Sequence, residues 1–159
     1  MTDLPHILNW RRINDRITTS GQPNEDQLAE IRGLGVTHVV NLGPHDNKGA
    51  LDDETGTVTG LGMTYVYIPV DFEAPTDDDF EDFKVAIEDL AVAKVHVHCI
   101  YNARVSAFLY RYSKVSDEIS ESAAFQNMES IWRPGSSWAA FIDNPKAKGQ
   151  ANRYAGEDY

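Results

Sequence analysis

The sequence predicts an α/β fold, a central four- to five-stranded, largely parallel sheet with helices on both faces. Three observations lead there. The β-branched runs VTHVVNL (36–42), MTYVYIPV (63–70) and KVHVHC (94–99) have strand length and are apolar enough to be buried. Segments with apolar residues at helical spacing separate them, the alternation that builds parallel sheets through crossover helices. The length of 159 residues, 42% hydrophobic and 25% charged, suits one hydrophobic core.

Taken in order, RITTS (16–20) reads as a short strand that ends at the turn Gly21-Gln22-Pro23. Asn24 is an N-cap with Gln27 three residues on, and Leu28, Ile31 and Leu34 follow at helical spacing until Gly33 and Gly35 stop the helix. After the strand at 36–42, residues 43–62 are rich in Gly, Asp and Thr and read as a loop with one weak helix. The strand at 63–70 precedes a helix capped by Thr76 with Asp79 at its third position and Phe80, Phe83, Ile87 and Leu90 as its apolar stripe. The strand at 94–99 leads into a helix from Arg104, with Val105, Phe108, Leu109 and Tyr112 on one face. Helical stretches around 118–131 and 136–142 follow, with Trp132, Trp138 and Phe141 as core packing. Residues 1–142 are expected to form the domain. Residues 143–159, with three bases, three acids and few apolar side chains, are expected to be a loose polar tail.

Charge narrows the function classes. Fourteen basic against 25 acidic residues leave a net charge of −11. Such a chain lacks the cations that displace counterions from a nucleic-acid backbone and should avoid anionic membranes. No window approaches a membrane-spanning apolar run, and the N-terminus has no secretory leader pattern. With a single cysteine, Cys99, no intrachain disulfide is possible, and a reducing, cytoplasmic setting is expected. Between Asp71 and Asp89 nine acids face one base, Lys84, a local net of −8. Most of that charge reads as a solvated helix face.

The chemistry-bearing stretch is VHVHCIYNARVSAFLYRY (95–112). A cysteine at the end of a buried strand, followed by a short loop and a helix start, receives several backbone N–H groups and the positive end of a helix. Both favour a thiolate over a thiol, and the same amides suit an oxyanion. Arg104 at the mouth of that helix adds a planar donor fork for two phosphate oxygens. By helical phase Val105 faces the core and Arg104 is free to face the loop. His96 and His98 place two imidazoles on one strand face, but no spacing motif recruits His38, His45 or Asp46, so no metal is expected.

Here the chain resembles the cysteine-dependent phosphatase superfamily, the tyrosine and dual-specificity phosphatases. His98-Cys99 matches the start of that signature, and Ser106 falls where the family has its Ser or Thr. ITTSGQPNEDQLAEIRGLGVTHVVNL (17–42) and YIPVDFEAPTDDDFEDF (67–83) are similar to segments of the small bacterial phosphatase-like proteins. The departure is the arginine: Val105 occupies the family position and Arg104 arrives one residue early, giving Cys-x4-Arg. Asn102 stands where the family usually has Gly, a mild change because Asn tolerates left-handed backbone. The resemblance implies a dual-specificity-phosphatase-like fold and hydrolysis of phosphate monoesters without a cofactor. In that reading Cys99 is the nucleophile and Arg104 the clamp. Asp71 is the general acid, with Asp77, Asp78 and Asp79 as alternatives.

The resemblance further implies that the amides of Ile100, Tyr101, Asn102, Ala103, Val105 and Ser106 cradle the phosphoryl oxygens. His98 holds the loop, and the Ser106 hydroxyl assists departure of the sulfur. The partner expected is a phosphorylated substrate or another oxyanion. The short loop also resembles that of rhodanese-like sulfurtransferases. An oxyanion-binding module that has lost turnover is the remaining alternative.

Overall fold

The computed structural model describes residues 2–154. Its main sheet has the order β1-β2-β5-β3-β4, in which β1 (Arg11–Arg12) is antiparallel to β2 (Ile17–Ser20). The strands β2, β5 (Val95–His98), β3 (His38–Asn41) and β4 (Thr64–Tyr67) are parallel. This is the predicted α/β architecture at five strands. The helices are α1 (Glu25–Gly33), α2 (Glu54–Gly60), α3 (Asp77–Asp89), α4 (Ala103–Ser113), α5 (Glu121–Glu129) and α6 (Ser136–Phe141). No described helix is long and apolar enough to cross a membrane.

Strand alternation divides the core between the two sheet faces. Val40, Val95, Val97 and Cys99 pack with Phe83, Phe108 and Leu109 from α3 and α4. Val39 packs on the other side with Leu28 and Ile31 of α1 and Val58 of α2. Both expected capping boxes form: Asn24 with Gln27, and Thr76 with Asp79. Such reciprocal bonds satisfy orphan amides of the first turn and fix where each helix starts.

Two expectations need correction. The segment 63–70 is not a buried strand throughout. β4 is the sheet's edge, with Thr64 and Tyr67 exposed, and burial falls on Met63, Ile68 and Val70 outside it. None of its four residues is fully buried, as suits a strand with one neighbour.

The tail is the second correction. Residues 143–154 fold back, and β7 (Arg153–Tyr154) pairs antiparallel with β6 (Trp132–Arg133). The Tyr154 ring stacks on Trp132 at 5.7 Å, and the Asn152 side chain and Gln150 carbonyl accept from the amides of Gly135 and Ser136. Residues 155–159 of the expected tail lie outside the described residues.

Candidate active site

The strand ends converge at one edge of the sheet. The Leu42 amide donates to His98 O and the Val70 amide to Leu42 O, which brings the residues after β5, β3 and β4 side by side. Ligand sites of open parallel sheets lie at this carboxyl edge. Cys99 is buried there and carries the only thiol. Cys99 continues the core-facing series Val95, Val97, and His98 projects to the opposite face, as strand alternation predicts.

The loop after Cys99 is held by its carbonyls. Cys99 O accepts from His98 Nδ1 at 3.0 Å, Ile100 O from the Gln22 amide at 3.0 Å and Tyr101 O from Asn9 Nδ2 at 2.8 Å. Asn102 adopts the left-handed conformation, φ 74°, and its side chain donates to Asn9 O and Thr19 Oγ1. Asn is therefore tolerated where the family uses Gly, and it adds two anchors. The turn at Gly21 presses close: a Cβ there would lie 2.7 Å from Ile100 O. Three consecutive carbonyls of this loop are thus tied to the scaffold. α4 begins at Ala103, and the first amides of a helix have no intrahelical acceptor.

The Ser106 amide donates to Asn102 O and so lies outside that set of free amides. Its hydroxyl differs from expectation too. Ser106 Oγ donates to Ala103 O and accepts from Trp132 Nε1, both at 3.0 Å, so its proton is committed to the helix rather than to sulfur.

Helical phase places Val105 in the core, fully buried, as expected. Arg104 is not free, however. It is 4% exposed, its Nη1 donates to Val70 O at 2.8 Å, and its guanidinium lies 5.5 Å from the centre of the Phe72 ring. The arginine is thus fastened to the residues on either side of Asp71. Its Nε is buried with no hydrogen-bond partner among the described residues.

Asp71 is exposed. Its carboxylate accepts from the Glu73 amide, and the loop is pinned by Trp138 Nε1 to Phe72 O and Ser137 Oγ to Glu73 O. Of the alternatives, Asp77 pairs with Arg111 and Asp79 closes the α3 cap, both structural engagements. The structure therefore joins Arg104 to the Asp71 loop, and Cys99 to His98.

One acidic partner was not anticipated. Glu54, at the start of α2 and 2% exposed, accepts from His98 Nε2 at 2.6 Å and from Gln22 Nε2 at 2.7 Å. Burial raises the carboxyl's proton affinity, but the His98 ring and the Gln22 amide outweigh it and hold Glu54 below the usual carboxylate range. Neither strand histidine offers a ring nitrogen to a metal. His98 is bonded on both sides, and His96 on both by Thr18 and Ser20. Among the described residues no group of three His, Cys, Asp or Glu side chains is placed to hold a metal ion.

Cys99 at the carboxyl edge, the anchored loop that follows it and the buried Arg104 at the start of α4 thus lie together where open parallel sheets bind ligands. No family model matches the sequence. A solved structure from Shewanella putrefaciens CN-32, described as "Putative phosphatase (DUF442)", is 35% identical, with a TM-score of 0.78 over 91% of this chain and 95% of that one. The chain belongs to this DUF442 family of phosphatase-like proteins, within the cysteine-dependent phosphatase fold.

Two more distant structures share that fold. Tk-PTP matches at TM-score 0.66 and 20% identity over 89% of this chain and 97% of its own. TpbA of P. aeruginosa matches at 0.65 and 20% over 80% and 76%. The "Beta-lactamase hydrolase-like protein" of Xylella fastidiosa is 32% identical over 108 residues, 66% of this chain and 25% of the relative. The chain spans about a quarter of the length of the curated relatives it matches.

Proposed function

We propose that this protein hydrolyses phosphate monoesters through a phosphocysteine intermediate. The Cys99 thiolate attacks phosphorus while the amides from Ile100 to Val105 and the Arg104 guanidinium bind the equatorial oxygens. Asp71 protonates the leaving oxygen and then takes a proton from the water that releases phosphate. The observation that carries this reading is Arg104: a guanidinium buried beside the cysteine loop with Nε unpartnered lacks an acceptor, and a bound phosphoryl oxygen supplies one. Its fastening to Val70 O and Phe72 also explains how Cys-x4-Arg can serve. The side chain is set by the acid loop rather than by its distance from the cysteine.

The test is hydrolysis of an aryl phosphate by the whole chain, with Cys99→Ser and Arg104→Ala as controls. Turnover that both substitutions abolish supports the reading. Phosphate or sulfate bound at the loop without hydrolysis of any phosphoester identifies an oxyanion-binding module instead. Thiocyanate production from thiosulfate and cyanide identifies a sulfurtransferase. Turnover unchanged in Arg104→Ala removes the clamp from Arg104.

A further inference from the structure

The mechanism leaves unused a buried carboxylate that reaches the cysteine loop by two routes. Glu54 bonds His98, whose other nitrogen bonds Cys99 O; it also bonds the Gln22 side chain, whose backbone amide bonds Ile100 O. His98 Nδ1 faces a carbonyl, which can only accept, and Nε2 faces a carboxylate oxygen at 2.6 Å. With Glu54 ionised both nitrogens face acceptors, and both bonds are then satisfied together when the ring carries two protons.

We propose that Glu54 is a positioning residue of the candidate site, keeping His98 an imidazolium whose Nδ1 clamps Cys99 O and so fixes the start of the cysteine loop. The inference rests on the proposed role of Cys99 and names what keeps its thiolate in place. A buried ion pair bonded at all its polar atoms is the arrangement in which such charges persist. Removing the carboxylate leaves His98 Nε2 without its charged partner and frees the ring to turn away from Cys99 O. The bond that holds Cys99 O is then weakened. The other titratable groups around the pair are His96 on the same strand, with ring centroids 6.3 Å apart, Tyr65 from β4 and His45 from the loop after β3. Burial, then the His98 charge, keeps His96 neutral. Burial likewise keeps the Tyr65 phenol protonated. Neither supplies a charge in place of Glu54.

The experiment compares wild type, Glu54→Gln, His98→Gln and the double variant. The rate of Cys99 alkylation by iodoacetamide is followed against pH, alongside thermal unfolding and aryl phosphate turnover. Glu54→Gln keeps the shape of the side chain, so the fold is retained, and alkylation at pH 6.5 is expected to slow by about ten-fold. His98→Gln should match it, and the double variant should add nothing, because the two residues act through one path. Alkylation profiles that superimpose on wild type in a folded Glu54→Gln protein overturn the proposal. If Glu54→Gln does not fold, an unshifted profile in His98→Gln overturns it equally. Alkylation does not depend on phosphatase activity. A shift without phosphoester hydrolysis by wild type would thus keep this inference and remove the proposed reaction.

Discussion

At the scale of single residues, Ser106 shows how one hydroxyl can be claimed by the fold instead of by chemistry. Its oxygen accepts from the fully buried Trp132 indole, so Ser106→Ala strands a buried donor and should cost about 1–3 kcal/mol. Urea unfolding followed by tryptophan fluorescence measures that loss, while turnover should stay near wild type. A collapse of turnover at unchanged stability would instead place the hydroxyl at the sulfur. His96 carries a second prediction. Fully buried, stacked on Trp10 and bonded by Thr18 and Ser20, it is held well below its ordinary 6.5, first by burial and then by His98. The unfolded chain therefore takes up a proton below about pH 6.5 that the folded chain refuses. The sign is that this contribution is complete at neutral pH and above and is lost as pH falls, with a limiting slope of one proton. Glu54, held low, adds the same sign only further down, below its ordinary 4.5. Urea midpoints should fall for wild type as pH drops from 6.5 to 5.5 and lose that fall in His96→Gln. Cys99, Arg104 and the left-handed Asn102 were all legible from residue type and order. Glu54 was not, because its partner lies 44 residues away and no periodicity marks the stretch around it.

At the scale of elements, local chemistry determined what could be foreseen. The capped starts of α1 and α3 carry their signal within four residues, and the β-branched runs of β3 and β5 carry theirs within seven. The β6–β7 ribbon is two residues per strand, and its pairing of Trp132 with Tyr154 spans an intervening helix, so nothing local could announce it. The Gly21 turn lies between these cases. Its turn character was plain, but its service to a loop nearly eighty positions away was not. A Cβ at Gly21 would meet Ile100 O at 2.7 Å and the Leu8 side chain at 2.9 Å. Gly21→Ala should push the turn off the cysteine loop and weaken the Gln22 amide bond to Ile100 O. Phosphate affinity and turnover are expected to fall about ten-fold or more, since displacement of a positioning element by an ångström is that costly. Far-UV circular dichroism should stay unchanged. Full turnover in the variant would show that the loop does not depend on this anchor.

At the scale of the whole molecule, the net charge of −11 is unevenly placed, and the placement has a consequence at the site. The stretch with a net of −8 begins at Asp71, in the loop that Arg104 grips, and continues along the exposed face of α3. On the proposed reaction, a phosphate ester entering the cysteine loop would meet the Arg104 guanidinium beside this stretch of like charge. Local amides and Arg104 can bind a single phosphoryl group at short range, whereas the acidic stretch acts over roughly a Debye length, about 10 Å at 0.1 M salt. Substrates bearing further phosphates extend their extra charge into that region and should be disfavoured in proportion. Adding salt from low ionic strength should raise kcat/KM for a polyphosphorylated substrate several-fold and change that for a compact aryl monoester far less. Asp78→Asn combined with Glu81→Gln tests the same cause without salt, because both side chains are exposed on α3 and neither joins a helix cap or a described ion pair. The pair of substitutions should favour the polyphosphorylated substrate and reduce the salt response together. Equal salt dependence for all substrates, or a double variant indistinguishable from wild type, would make the acidic face a matter of solubility alone.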